Sequence, residues 1–282
     1  MSKEFDNSQP NTWCPGCTNN IVLNSVKNVL SGKIKSGLHK HDLVLVSDIG
    51  CAGKFYDHLK MNGFYALHGR TLPIAFGVKM ANPLLKVIGF IGDGGAYAEG
   101  MAHLIQLARL NPDLTILILN NRIFALTVGQ ATPVTEIGYR GNTTPDGSLD
   151  EPFNPLDIVL SAGGSFIARA SSLDPKSLEE IIKKGIERVG FSVIEIMQPC
   201  VSFRSQDLPK LRQNHYWISD RQREISEARK LIQSWDYGEG RIPLGVFYQK
   251  SRKTWGEKHG AKNLSNLKRK IDIKSLAEEI LR

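Results

Sequence analysis

Between about residues 20 and 200, short and almost wholly apolar runs alternate with longer segments of helical periodicity, and few folds tolerate that pattern. "LTILILNN" (114–121) is the clearest run; a strand so apolar on both sides must be covered on both faces. "DLVLVSD" (42–48), "LLKVIGFIGD" (84–93), "SFIARAS" (165–171) and "FSVIEIMQPC" (191–200) read as further strands. Helices are expected at "NIVLNSVKNVL" (20–30), at "RTLPIAFGVKMA" (70–81) with Pro73 in its first turn, and at "YAEGMAHLIQLARL" (97–110), stopped by Asn111-Pro112. Two more are expected at "NPLDIVLSAGG" (154–164) and "DPKSLEEIIKKGIERV" (174–189). Strand–helix alternation of this kind predicts an α/β fold, a mainly parallel sheet with helices on both faces. Residues 1–205 are expected to form the main domain and 206–282 a less regular, basic C-terminal extension. The polar stretch between about 128 and 156, rich in Gly, Pro and Thr, is expected to be a functional or mobile loop.

The formal charge of +8 sits largely in the last third, in stretches such as "YQKSRKTWGEKHGAKNLSNLKRK". It is read as a solvated tail, with a surface for an anionic partner as the alternative. No zinc-finger spacing, RNA-stacking motif or DNA-reading helix accompanies it, so a nucleic-acid partner is not expected. Neither a transmembrane run nor a signal peptide is read, and a cytoplasmic, membrane-free protein is expected. In that compartment four cysteines suit metal ligation or free thiols better than disulfides.

Open parallel sheets bind ligands beyond the carboxyl ends of their strands, and every unusual motif falls there. "IGCAGK" follows the first strand, "GDGGAYAEG" the second, "NNRIFALT" the third and "QPC" the last. Gly92-Asp93-Gly94 places one carboxylate between two residues without side chains at a strand-to-helix turn. The backbone there is open to a phosphate, and the following helix offers its N-terminal N–H groups. Asn121, on the next strand end, adds a neutral oxygen. A carboxylate, an amide oxygen and a backbone carbonyl suit Mg²⁺ shared with a diphosphate.

Cys14 and Cys17, in "WCPGC", could be a redox dithiol, half of a zinc site or half of an iron–sulfur site. Cys51 and Cys200 complete a possible set of four. Zinc structural sites usually come as two local pairs; here one pair is local and the other two ligands are single. Scattered ligands fit a cluster seated against the body of a fold better than a compact zinc knuckle.

Gly-Asp-Gly followed by Asn-Asn at this distance resembles the thiamine-diphosphate motif of thiamine-dependent enzymes. "WCPGC", "IGCAGK", "LHGR", "GDGG", "NNRIFALTVGQATPVT", "EPFNP" and "QPC", in this order over residues 13–200, closely resemble the β subunit of 2-oxoacid:ferredoxin oxidoreductases, a family with pyruvate and 2-oxoglutarate members. The resemblance implies a thiamine-diphosphate-binding fold and CoA-dependent oxidative decarboxylation of a 2-oxoacid, with electrons passed to ferredoxin. It implies a [4Fe-4S] cluster on Cys14, Cys17, Cys51 and Cys200, and Mg²⁺ held by Asp93, Asn121 and the Ile123 carbonyl. Ile49, Gly50, Cys51, His68, Gly69, Gly92, Asp93, Gly94, Gly95, Asn121, Ile123, Ala125, Leu126 and Thr127 are the implied cofactor contacts. Lys54 and Leu126 are implied to meet the substrate, and His68 and Arg70 to face the diphosphate or the cluster edge. The Glu that activates the thiamine is implied to come from a companion α subunit, across an interface expected to exceed ~2,000 Å².

The sequence departs from the family's usual pattern in three places. Gly95 stands where many relatives carry Asp in Gly-Asp-Gly-Asp, Asn120 stands where they carry Asp, and Phe124-Ala125 replace Tyr-Gly. The alternative readings are a non-oxidative thiamine lyase or synthase, which would leave the cysteines unused, and an electron-transfer iron–sulfur protein without thiamine.

Overall fold

The computed structural model describes residues 3–264 except Gln222. Its strands are β1 (Leu43–Ser47), β2 (Asn62–Tyr65), β3 (Lys86–Gly92), β4 (Leu114–Asn120), β5 (Ile123–Phe124), β6 (Gln130–Ala131), β7 (Phe166–Ser171), β8 (Phe191–Met197), β9 (His215–Trp217) and β10 (Ile242–Gln249). Eight of these form one sheet in the order β2-β1-β3-β4-β8-β7-β10-β9; β5 and β6 form a separate antiparallel ribbon. The first six strands in that order run parallel, and β10 joins β7 antiparallel. β4 lies near the middle with all seven residues buried, as its composition demands.

Side chains alternate between the two faces of each strand. Leu45, Ile88, Leu117 and Ile194 pack with Val22, Val26 and Leu30 of α1 (Asn19–Lys35) and with Leu178 and Ile182 of α6 (Pro175–Glu187). On the opposite face, Val46, Ile91, Ile116 and Val193 belong to a core shared with helices that include α3 (Thr71–Ala81), α4 (Met101–Leu110), α5 (Pro155–Ser161) and α8 (Ile225–Ile232). Local chemistry sets the helix ends. Asp174 accepts from the Ser177 amide ahead of Pro175, Asn154 does the same for Asp157, and Asn111 ends α4 in the left-handed region at φ 58°.

Three features differ from the sequence reading. The helix expected over 97–110 is two pieces: a π-helical turn over Gly95–Glu99, then α4 after Gly100. The stretch between 128 and 156 carries its own hydrogen bonds, Gly138 N–H to the Ser148 carbonyl at 2.8 Å and Ser148 N–H to the Tyr139 carbonyl at 2.9 Å. Residues 206–264 are no tail: β9 and β10 extend the sheet, and Ala228 and Ile232 of α8 help cover it. The remainder of the expected extension, 265–282, lies outside the described residues. No helix among the described residues is long and apolar enough to cross a membrane.

One charged group lies inside the second core. Arg169 on β7 and Glu195 on β8 are both fully buried, with Nε and Oε2 2.5 Å apart. Glu195 Oε1 accepts from Tyr97 Oη (2.8 Å), Tyr237 Oη (2.9 Å) and Asn120 Nδ2 (2.9 Å). A buried carboxylate persists only when so fully bonded. These bonds join the glycine-rich turn, the end of β4 and the C-terminal region.

Candidate active site

The carboxyl ends of β1, β3, β4 and β8 lie side by side in the sheet order, so the segments that follow them meet at one edge. Every residue implied to contact the cofactor, Gly69 excepted, lines one cleft there. Asp48, Ala52, Leu119, Phe124 and Gln198 share its wall.

Asp93 is buried at the end of β3. Its Oδ2 accepts from Thr132 Oγ1 at 2.7 Å and its Oδ1 from the Asn121 amide at 3.4 Å. Burial pushes its carboxyl up to about 7 against these two bonds, which favour the ionised form. A divalent cation would offset that cost directly. Asn121 is nearly buried, and its Oδ1 accepts from the Ile123 amide at 3.1 Å. Between them Arg122 has φ 61°, so the chain turns sharply and keeps the Asn121 side chain and the Ile123 backbone together. Side chains of Phe124 and Asp48 occupy the space beside Gly94 and Gly95. A Cβ at Gly94 would lie 2.1 Å from Phe124 Cε1, and one at Gly95 would lie 1.9 Å from Asp48 Oδ2. The cradle therefore fits a magnesium diphosphate: one carboxylate, one amide oxygen, a nearby carbonyl and a loop with no side chains in the way.

The four cysteines are free thiols: Cys14 and Cys17 lie ahead of α1, Cys51 after β1 and Cys200 after β8. Trp13 Nε1 donates to the Cys51 carbonyl at 2.9 Å, and Gln198 Nε2 donates to Thr18 Oγ1 at 2.9 Å and to Cys17 Sγ at 3.8 Å. Burial pushes the Cys17 thiol up to about 11; the Asn19 amide opposes this, and Cys51, Cys14 and Cys200 add to it. Cys51 is raised too, by burial first and by Cys200 and Cys14, with Lys54 opposing. Thiols that raise one another's pKa are near neighbours, and a cation or cluster among them would reverse the shift. Among the described residues, no three His, Cys, Asp or Glu side chains stand in ready metal-binding geometry. The donor set nonetheless fits an iron–sulfur cluster, which would take these four neighbouring cysteines as thiolates.

Other implied residues fall unevenly. Leu126 is half exposed on the cleft wall. Lys54 does not line the cleft; its Nζ donates to the Thr12 carbonyl at 2.7 Å, tethering the segment that carries Cys14. His68 lines the cleft with Nδ1 3.1 Å from Glu99 Oε2, while Arg70 turns to the Glu99 carbonyl at 3.0 Å. Gly69 lies behind the wall, where its amide donates to Asp48 Oδ1 at 2.8 Å. Sequence reasoning missed Asp48 and Thr132. Asp48 reads as the polar end of a strand, and Thr132 sits within a polar loop. The one sequence signal was the missing Asp at position 95.

Residues 48–196 match the family described as thiamine pyrophosphate enzyme, C-terminal TPP binding domain, so sheet and cleft are those of a thiamine-dependent enzyme. The chain is 35% identical over 253 residues to the 2-oxoacid:ferredoxin oxidoreductase subunit beta of Saccharolobus solfataricus, covering 85% of this chain and 82% of that one. It is 39% identical over 210 residues to the 2-oxoglutarate oxidoreductase subunit KorB of Mycobacterium tuberculosis, covering 74% and 56% respectively. A solved 2-oxoglutarate:ferredoxin oxidoreductase from Magnetococcus marinus, with 2-oxoglutarate, coenzyme A and succinyl-CoA bound, superposes with a TM-score of 0.87 at 28% identity, covering 98% of this chain and 94% of that one. The chain belongs to the 2-oxoacid:ferredoxin oxidoreductase β-subunit family. It is an oxidoreductase subunit, and the naming of its relatives implies a partner subunit.

Proposed function

We propose that this chain is the thiamine-diphosphate- and cluster-bearing subunit of a complex that oxidatively decarboxylates a 2-oxoacid, passes the acyl group to coenzyme A and hands the electrons to ferredoxin. The observation that carries the reading is convergence: the Asp93–Asn121 cradle and all four cysteines lie at one edge of one sheet, with Cys51 lining the cleft itself. Pyruvate and 2-oxoglutarate are the substrates to test, the latter because the Magnetococcus marinus neighbour binds it.

Asp93, Asn121 and the Ile123 carbonyl would hold Mg²⁺, and the amides of the Gly94-Gly95 turn would take the diphosphate. Thiamine, when bound, supplies the carbanion-stabilising chemistry of decarboxylation, and a [4Fe-4S] cluster the one-electron steps. Leu126 and Phe124 offer apolar surface on the cleft wall, which the partner subunit would have to cover to exclude water. Lys54 does not line the cleft, but its ammonium has donors beyond the one given to Thr12, and these would take the substrate carboxylate. The Glu that activates thiamine is supplied by the partner subunit, which covers this sheet edge.

The test is the iron, acid-labile sulfide and thiamine content of anaerobically purified complex. The proposal expects all three, with Asp93→Ala losing thiamine and keeping iron. Thiamine without iron or sulfide would mark a non-oxidative thiamine enzyme; iron and sulfide without thiamine would mark an electron-transfer protein.

A further inference from the structure

Asp48 ends β1 with no exposed surface and lines the cofactor cleft. Its Oδ1 accepts the Gly69 amide at 2.8 Å, whereas its Oδ2 has no side-chain hydrogen-bond partner among the described residues. That oxygen occupies the space where a side chain on Gly95 would begin: a Cβ there would stand 1.9 Å from Oδ2 and 2.9 Å from Cγ. One small chamber between the ends of β1 and β3 thus has room for one side chain, and here the chain enters it from position 48. Gly95 is the position at which the loop departs from Gly-Asp-Gly-Asp.

The other end of the contact matters to the cleft. Gly69 lies in the left-handed region at φ 69°, so close to the π-helical turn that a Cβ there would fall 2.5 Å from Glu99 Cβ. Its neighbour His68 is cleft wall. Holding the Gly69 amide therefore fixes how the 67–70 turn leans on the glycine-rich loop.

We propose that Asp48 is a positioning residue: its carboxylate pins the 67–70 turn against the Gly92–Gly95 loop, setting the wall of the cofactor cleft from the chamber that an aspartate at position 95 would otherwise fill. The inference rests on the thiamine reading above. It makes positions 48 and 95 interdependent, because a side chain at 95 would begin where the Asp48 carboxylate lies and two such side chains cannot share the chamber.

The experiment titrates thiamine diphosphate with Mg²⁺ into the co-purified complex, stripped of both, by calorimetry, with Tm recorded for each variant. Asp48→Ala leaves the Gly69 amide unpaired and is expected to weaken binding about tenfold or more. Asp48→Asn keeps the oxygen acceptor and is expected to stay within about threefold of the parent. Gly95→Asp alone puts two carboxylates in one chamber and is expected to lose binding. The double variant Asp48→Gly with Gly95→Asp is expected to recover to within about threefold of the parent, since the chamber again holds a single carboxylate. Parent-like affinity in Asp48→Ala, or a double variant no tighter than the weaker single, overturns the proposal. A fall in Tm with unchanged affinity overturns it as well, by leaving Asp48 a merely structural part. A parent complex that binds no thiamine diphosphate would instead sink the thiamine reading, and this inference with it.

Discussion

Arg122 donates from Nη2 to Asp207 at 2.8 Å while its own backbone, at φ 61°, forms the turn between Asn121 and Ile123. Asp207 also takes Arg204 Nε at 2.6 Å, and the Arg204 amide donates to the carbonyl of Cys200 at 3.0 Å. One nearly buried carboxylate therefore ties the proposed metal-holding turn to the segment after a proposed cluster ligand. Asp207→Ala would leave Glu136 as the carboxylate still paired with both guanidiniums and should cost roughly 1–3 kcal/mol in urea unfolding. Burial opposes ionisation of Asp207, but Arg204 and Arg122 outweigh it and hold its pKa below the usual carboxylate range. A depressed folded-state pKa gives stability that is present above the unfolded value and lost as pH falls through the folded one. The stabilisation should thus fade below about pH 4, and Asp207→Asn should flatten that acid limb. An acid limb identical to the parent's would contradict this account.

Glu195 should behave as part of a unit. Glu195→Ala strands the fully buried Arg169 and should destabilise the protein by roughly 3–5 kcal/mol. Arg169→Met combined with Glu195→Met should cost clearly less than the two single changes added together, because neither charge is then left alone. Strict additivity in denaturant melts would show that the pair is not coupled as its 2.5 Å contact implies.

Replacing any one of Cys14, Cys17, Cys51 or Cys200 by Ser should strip or destabilise the iron–sulfur chromophore of anaerobically purified complex. The visible absorption and acid-labile sulfide check it. Zinc in place of iron, or an unaltered spectrum in all four variants, would end the cluster assignment.

Lys54 distinguishes two roles. If its ammonium meets the substrate carboxylate, Lys54→Ala raises the KM for the 2-oxoacid and leaves iron and thiamine contents intact; that is the expected result. Loss of iron with an unchanged KM would instead leave Lys54 only the tethering of Thr12 seen in the structure.

Much of the fold could be read from the chain because buried parallel strands must be apolar on both sides, and β1, β3, β4, β7 and β8 announce themselves that way. β2 did not: it is an edge strand of Asn62, Gly63, Phe64 and Tyr65, largely exposed and without an apolar run. β10 was hidden by Pro243 and by Gly245, whose φ of 131° accompanies an irregular pairing with β7. The helix over 97–110 looked continuous because periodicity does not register the π-helical turn that ends at Gly100. At the site, Asp93, Asn121, Cys51 and Cys200 were readable as residue types just past strands, and Cys14 and Cys17 as a local pair ahead of α1. Asp48 and Thr132 were not, since their roles rest on contacts with Gly95, Gly69 and Asp93 across 21 to 47 positions of sequence.

The most direct measurement is anaerobic turnover. The chain purified alone and the chain co-purified with its partner subunit, each supplied with thiamine diphosphate and Mg²⁺, are given pyruvate or 2-oxoglutarate with coenzyme A, and reduction of methyl viologen or ferredoxin is followed. The account predicts no reduction by the chain alone. It predicts coenzyme-A-dependent reduction by the complex with at least one 2-oxoacid, abolished by Asp93→Ala. Turnover by the isolated chain, or a cofactor-loaded complex that oxidises neither acid, would contradict it.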